Sequence, residues 1–293
     1  MAGSKFAYVR NFELPDPLLP ETFMVLRIDG HAFHRRLSAD HDFAKPNDER
    51  ALQLMDHAAR DVMNEFKDIV LAFGESDEYS FLFRKSTALY NRRESKILST
   101  ITSLFTSSYV FNWPKYLPDT PLKYCPSFDG RIILYPSATI VRDYFSWRQA
   151  DTHINNLYNT VFWALVLQGG QTTTEAHATL RGTVSSTKHE ILFSRYGINY
   201  NDLPARYRKG SVLVRTEVRT SIPHRCRVPG EVDPETAGTQ PLESPSPAPP
   251  TATKPSQQGS KKKKERIRTV VELLHCDIIG DDFWNARPNL LAD

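Results

Sequence analysis

Several large classes of protein are excluded by what this sequence has little of. Three cysteines, Cys125, Cys226 and Cys276, are scattered over 293 residues. Their odd number and wide spacing exclude a disulfide framework and a Cys-x-x-Cys zinc site, and they suit reduced thiols in the cytoplasm or the nucleus. No apolar run is long enough for a membrane-spanning helix, and the mean hydropathy is −0.45, so no membrane partner is expected. Met1 to Arg10 carries charge and no apolar stretch, so no secretory leader is expected. No internal repeat is visible. Excess charge is scarce too: the formal net charge is +3. Between Ser260 and Arg268 six cations face Glu265, a local +5 that leaves the rest of the chain at −2. The folded part therefore carries no broad basic signature.

Hydrophobic residues make up 40% of the chain, enough for a sizeable core in one elaborated domain or two small ones. From Pro229 to Pro255 lie eight of the twenty prolines and almost no large apolar residue. Such a stretch cannot bury enough surface to offset its ordering entropy, and disorder is expected there. The Lys261–Lys264 run continues this polar insert. The organisation expected is a core over residues 1–140, a helical half over 141–224, a disordered insert over 225–268, and a segment over 269–293 that returns to the body.

The first half reads in order. Thr22 to Ile28 is an apolar, partly β-branched strand. Leu52, Met55, Ala59, Val62, Met63 and Phe66 have helical spacing within 48–66. Ile69 to Phe73 and Tyr79 to Phe83 form a hairpin about the turn Gly74-Glu-Ser-Asp-Glu78. Glu94 to Phe111 is a second helix and Arg131 to Tyr135 a fourth strand. The class is α+β, and the order βαββαβ is ferredoxin-like, as in polymerase palms and nucleotide cyclases. The second half is mostly helical. Ile154, Leu157, Tyr158, Val161, Phe162 and Leu165 mark an amphipathic helix ended by Gly169-Gly170. Thr172 with Glu175 predicts a capping box, and Ser186 a cap for a helix ending before Gly197.

Asp29 follows the first strand, and Asp77 sits in the hairpin turn. In a βαββαβ sheet these strands are neighbours, so the two carboxylates converge at one end. Paired carboxylates suit magnesium, which takes hard oxygens from one or two side chains and from substrate phosphates. Two such ions would activate an attacking hydroxyl and stabilise a leaving pyrophosphate. Gly30 lets the backbone pass close to a ligand. The amides from Gly30 to His34 form a candidate phosphate nest.

Arg27-Ile-Asp-Gly, Gly74-Glu-Ser-Asp-Glu-Tyr-Ser-Phe and His153-Ile-Asn-Asn-Leu-Tyr-Asn159 resemble the signature motifs of the tRNA-histidine guanylyltransferase family. So do Phe43-Ala-Lys-Pro-Asn-Asp48, Tyr90-Asn-Arg-Arg, Ser146-Trp-Arg-Gln-Ala-Asp and Tyr207-Arg-Lys-Gly, and the type resembled is eukaryotic and fungal. The resemblance implies an enzyme that adenylylates the 5′-monophosphate of the tRNA with ATP. The 3′-hydroxyl of GTP then displaces AMP, and pyrophosphate is removed from the added nucleotide. It implies Asp29, the Gly30 carbonyl and Asp77 as ligands of two magnesium ions. It implies that Asp29, Gly30, His31, Ala32, Phe33, His34, Ser76 and Asp77 line the triphosphate, and that the chain is a homotetramer.

Glu78 either supports the site or is a solvated turn charge. Lys45, Arg93 and Lys96 are candidates to neutralise phosphates. Asp48 either caps its helix or accepts from the guanine edge of GTP. His153, Asn156 and Thr160 form a polar stripe, read either as the solvent side of the helix or as a contact with the tRNA. Lys188, Asn199, Arg208 and Lys209 are further tRNA candidates. The Lys261–Lys264 run reads as an inert tail, a nuclear localisation signal or a tRNA-binding arm. His31 stands where the family often has a basic residue, which predicts slightly weaker nucleotide affinity. The competing functions are a nucleotide cyclase and a non-catalytic tRNA-binding module.

Overall fold

Alternation along the first strand sorts the whole molecule. The structure, a computed structural model, describes residues 4–221 and 265–292. Strand β1 (Phe23–Gly30) sends Met24, Leu26 and Ile28 to one face and Phe23 and Val25 to the other, followed by Arg27 and Asp29. The chain continues through the single turn α1 (Ser38–Asp40), helix α2 (Glu49–Glu65), strands β2 (Ile69–Glu75) and β3 (Glu78–Phe83), helix α3 (Glu94–Tyr116) and strand β4 (Phe128–Tyr135). Helices α4 (Ala138–Leu167), α5 (Thr173–Leu180), α6 (Ser185–Tyr196) and α7 (Ala205–Lys209) follow, then strands β5 (Ser211–Ser221) and β6 (Glu265–Leu274) and helix α8 (Asp281–Asn285). The sheet order is β4-β1-β3-β2-β5-β6. Its first four strands have the ferredoxin-like order that βαββαβ predicts.

One face of the sheet is sealed by α2 and α3. Ala58, Ala59, Val62, Ile97, Ile101 and Phe105 pack there on Leu26, Ile28, Phe81 and Phe83. The first half of α4 covers the other face with Val141, Tyr144 and Phe145, joined by Ile278, Phe283 and Trp284. Its second half leaves the sheet and builds a separate cluster with α5 and α6, through Leu157, Val161, Leu165, Leu180 and Leu192.

The structure differs from the sequence expectation in five places. Helix α3 runs on to Tyr116, because Tyr109 and Trp113 continue its buried stripe. Helix α4 begins at Ala138, capped by Ser137, sixteen residues before Ile154, because it packs first on the sheet and then on other helices. The polar stripe of α4 is not a solvent side: Asn156 and Thr160 are buried, whereas Ile154 is 55% exposed. Ser186 lies inside α6 and caps nothing; Val184 holds the N-cap position. Two strands, β5 and β6, add to the sheet. The Thr172–Glu175 capping box is present, and Gly197 ends α6 at φ 65°.

The chain divides into two compact units, Met1–Thr216 with Val271–Asp293, and Glu217–Val270. The three hydrophobic clusters and the candidate site lie in the first. The expected insert, up to and including Lys261–Lys264, lies outside the described residues.

Candidate active site

The hairpin between β2 and β3 turns on Ser76 and Asp77 alone, with Ser76 in the left-handed region at φ 49°. A side chain on Gly74 would place its Cβ 2.3 Å from the Tyr79 ring, so only glycine fits before this turn. The Gly30 amide donates to the Asp77 carbonyl at 3.0 Å and ties the end of β1 to the hairpin. Asp29 lies opposite Glu78 in the register. Asp29 and Asp77 therefore stand side by side at one end of the sheet. Gly30 itself answers to packing: a Cβ there would lie 2.5 Å from the buried Phe33 ring.

Period-two alternation places Asp29, Glu75 and Glu78 on the α4 face, beside Arg27. Helix α4 adds Arg148, which donates to both Glu78 oxygens at 3.1 and 2.9 Å and also bonds Asp151. Arg27 lies 3.3 Å from Glu78 and 3.5 Å from Asp29. Glu78 is therefore no solvated turn charge but a buried support shared by two arginines. Burial raises its pKa against their pull. Burial, and then the charge of Asp77, raise the pKa of Asp29. Glu75, bonded to Thr152, is pushed up to about 7, mainly by burial.

Asp29, Glu75, Glu78 and Arg148 line a cavity of about 1030 Å³ with Ala32, Phe33, Arg35, Lys45, Asp48, Ser76 and Asp77, and with Asn156, Trp163 and His177 beyond them. Two elements fix its floor. Asp48 caps α2, accepting from the Arg50 and Ala51 amides at 3.0 and 3.4 Å, and also from the Ala44 amide and the Arg50 guanidinium. Asp56 accepts from Tyr79 and from Arg206, each at 2.5 Å, and joins α2 to α7. The donor set fits magnesium. Asp29 and Asp77 offer hard oxygens, and each raises the negative potential at the other. Among the described residues no group of three or more His, Cys, Asp or Glu side chains is placed to hold a metal alone. The remaining ligands would be backbone and substrate oxygens, as magnesium prefers.

Two family models cover nearly the whole chain: tRNAHis guanylyltransferase over residues 6–136, and the Thg1 C-terminal domain over 139–280. A tRNA(His) guanylyltransferase of Schizosaccharomyces pombe is 51% identical over 99% of this chain and 98% of its own. The chain belongs to the tRNA-histidine guanylyltransferase family. A probable tRNA(His) guanylyltransferase of Mus musculus is 50% identical, over 100% of this chain and 90% of its own. The crystal structure of the Saccharomyces cerevisiae tRNA(His) guanylyltransferase superposes with a TM-score of 0.69 at 51% identity, covering 72% of this chain and 93% of that one. A bacterial Thg1-like protein in complex with ATP shares the fold at 22% identity and a TM-score of 0.57, over 71% and 84% of the two chains.

For this member of the guanylyltransferase family, the other predicted residues fall into two groups. Lys45 is in the cavity, half-buried, with Nζ bonded to the Ser38 hydroxyl at 2.7 Å; burial lowers its pKa. Of the expected phosphate nest, the Gly30 amide is taken by Asp77 and the His31 amide by Ser127. The amides of Ala32, Phe33 and His34 open a short helical turn, where intrahelical partners are lacking. The His31 side chain is exposed and outside the cavity lining. Arg93 and Lys96 lie at the opposite end of the sheet: Arg93 pairs with Asp16, and Lys96 sits over the Tyr90 ring. Asn156 lines the cavity, its amide committed to Asn47 and Tyr200. His153 stacks near His189 and Tyr200, its pKa lowered by burial and then by the neighbouring His189 and Arg208 charges. Lys188 bonds the Thr183 carbonyl, Asn199 caps a turn by accepting from Asn201, Arg208 bonds Leu203 and Lys209 bonds Asp277. None of these last five lines the cavity.

Sequence reasoning passed over Arg35, Glu75, Asp56 and Arg206, and it used Arg148 only as a motif letter. Alternation from Asp29 and Phe73 would have put Glu75 on the right face. No local pattern points to Arg206, which reaches Asp56 across 150 positions.

Proposed function

We propose that this chain adds a guanosine to the 5′ end of histidine tRNA. The observation that carries the reading is the pair Asp29 and Asp77, set side by side over a nucleotide-sized cavity, in a chain half identical over its length to tRNA(His) guanylyltransferases. The reaction begins with adenylylation of the tRNA 5′-monophosphate by ATP, whose β- and γ-phosphates leave as pyrophosphate. The 3′-hydroxyl of GTP then attacks the activated phosphorus and AMP leaves. Pyrophosphate is finally removed from the new end.

In this reading Asp29, the Gly30 carbonyl and Asp77 hold two magnesium ions. Such ions, when bound, lower the pKa of an attacking hydroxyl and offset charge on the leaving phosphate. The chain's own residues do the rest. The amides at Ala32 to His34, where a short helical turn starts, receive phosphate oxygens. Arg35 and Lys45 offset their charge. Ser76 and Asp77 close the hairpin against the triphosphate. Asp48, both of whose oxygens are engaged by capping bonds and by Arg50, fixes the start of α2 at the cavity floor beside the base of the nucleotide. Glu78 holds Arg27, and Arg27 in turn steadies Asp29. We place His153, Asn156, Lys188, Asn199, Arg208 and Lys209 on the side that delivers the tRNA.

The reading extends to a homotetramer, supported by the exposed Phe6, Phe12, Leu14 and Phe111, and to a cytoplasmic or nuclear location, which the free thiols of Cys125 and Cys276 suit. Sedimentation at several concentrations checks the first, and imaging of the tagged chain the second.

Purified protein is incubated with 5′-monophosphorylated histidine tRNA, ATP, labelled GTP and magnesium. Label at the tRNA 5′ end is the expected result. A cyclic nucleotide instead would assign the sheet to a cyclase, and tRNA binding without label to a non-catalytic module.

A further inference from the structure

The half of the cavity away from the hairpin is aromatic. Asn155, Tyr158, Asn159, Phe162 and Trp163 line it from α4. Their spacing of three and four residues makes one helix face. His177 of α5 completes the wall. The Tyr158 hydroxyl and His177 Nδ1 share a hydrogen bond of 2.7 Å, and the Phe162 and His177 rings are 4.6 Å apart. Phe162 is core, but Tyr158 and Trp163 are only partly covered and His177 is exposed. Cations stand over both partly covered rings: Lys45 Nζ is 5.6 Å from the Trp163 centroid, and Lys188 Nζ is 5.9 Å from that of Tyr158.

A wall of this kind has a bland explanation, helix packing, and it accounts for Phe162. It does not account for three further rings that keep a surface towards an open cavity, two of them beneath lysines. Aromatic faces interleaved with cations are how proteins hold unpaired bases of a nucleic-acid strand: the ring stacks on the base and the cation meets the neighbouring phosphate.

We infer that Tyr158, Trp163 and His177 form a stacking surface for the nucleobase at the reacting end of the RNA strand, with Lys188 drawing the strand's phosphate beside it. The inference rests on the function proposed above and adds to it the place where the strand end is gripped. A strand is favoured over a free nucleotide because a second cation, Lys188, stands over Tyr158 outside the cavity lining, apart from the Lys45 that serves the triphosphate. The amides of Asn155 and Asn159, on the same face, are placed to meet base edges.

The test uses the full chain and a 5′-monophosphorylated acceptor-stem hairpin RNA carrying 2-aminopurine at its first position. Binding and fluorescence quenching are measured, with ATP and GTP affinities in parallel. We expect Trp163→Ala and His177→Ala to weaken RNA binding by about tenfold and to remove most of the quenching, as loss of one stacked base does. Trp163→Phe keeps both. ATP and GTP affinities stay within about twofold, since stacking loss is local to the base it touches. His177 is exposed, so its variant folds even where Trp163→Ala does not. Unchanged RNA affinity and quenching in both alanine variants overturn the stacking surface and leave the function standing. An equal loss of ATP or GTP binding overturns the assignment to the strand. A wild-type chain that binds no RNA brings down the function and this inference together.

Discussion

The two faces of the central sheet are covered in different ways. Under α2 and α3, β1 contributes Met24, Leu26 and Ile28, each fully buried among apolar neighbours. Under α4, the same strand contributes Phe23 and Val25 and then changes character to Arg27 and Asp29. There Glu78 and Arg148 are buried as well, with Glu75 half-buried beside them. Among the described residues, Arg27 Nε and Arg148 Nε have no hydrogen-bond partner; Arg27 is near Glu78 but misaligned for a bond. Burying such groups costs stability that apolar packing would not. The dry face therefore holds the fold, and the charged face gives up stability to keep an array of charges at fixed positions beside Asp29 and Asp77.

The largest effect separates these roles. Asp29→Ala or Asp77→Ala is expected to lower guanosine incorporation by about 1,000-fold, the scale of losing a preorganised charge contact. Thermal unfolding should move little in either variant. Incorporation that survives both changes would overturn the site assignment.

Next come paired substitutions, one on each face. Leu26→Ala should cost about 3 kcal/mol in denaturant unfolding, from lost burial and the cavity left behind. Arg148→Met should cost a similar amount, about 3 kcal/mol, by stripping the main partner from buried Glu78. Activity distinguishes them. Folded Leu26→Ala keeps its turnover, whereas Arg148→Met loses it as Glu78, Arg27 and Asp29 shift together. Equal turnover would mean that the charged network is structural only.

A pH series sharpens the contrast. The Glu75 carboxyl titrates at 4.5 when free and at about 7 in the fold. Between these values the folded chain keeps a proton that the unfolded chain releases, so stability falls as pH rises through the window. The loss is about 3 kcal/mol at full extent. Unfolding of the magnesium-free protein at several pH values should show this slope, and Glu75→Gln should flatten it. An unchanged slope would place the titration elsewhere.

Smaller still, Asp48→Ala should destabilise by about 1 kcal/mol through loss of the α2 cap, with Asp48→Asn retaining most of it. The smallest effect is at His31. Its side chain is exposed and off the cavity wall, so His31→Arg should change GTP affinity by less than about twofold, the screened contribution of one surface charge.

Much of this was legible in the sequence, and the reason is local. Strands and helices announce themselves through spacing: Thr22 to Ile28 became β1, and the stripe from Leu52 to Phe66 became α2 with Asp48 as its cap. Legibility failed where an element packs on two sides. On α4 the apolar spacing placed Asn156 and Thr160 towards solvent, but both are buried, and Tyr200 and the loop at Asn47 bond the Asn156 amide. Arg93 and Lys96, whose motif context suggests the triphosphate, stand in the fold beside Asp16 and Tyr90, outside the cavity lining.

By itself the sequence determined the βαββαβ order, the hairpin at Ser76-Asp77 and the presence of Asp29 and Asp77 at strand ends, because each follows from residue spacing over a few turns or a few strand positions. Only the tertiary structure decided which charges those carboxylates meet. Arg148 lies 70 positions from Glu78, and Arg206 lies 150 from Asp56. Contacts over such separations depend on how α4 and α7 dock on the sheet, and docking is set by the shape and burial of whole faces.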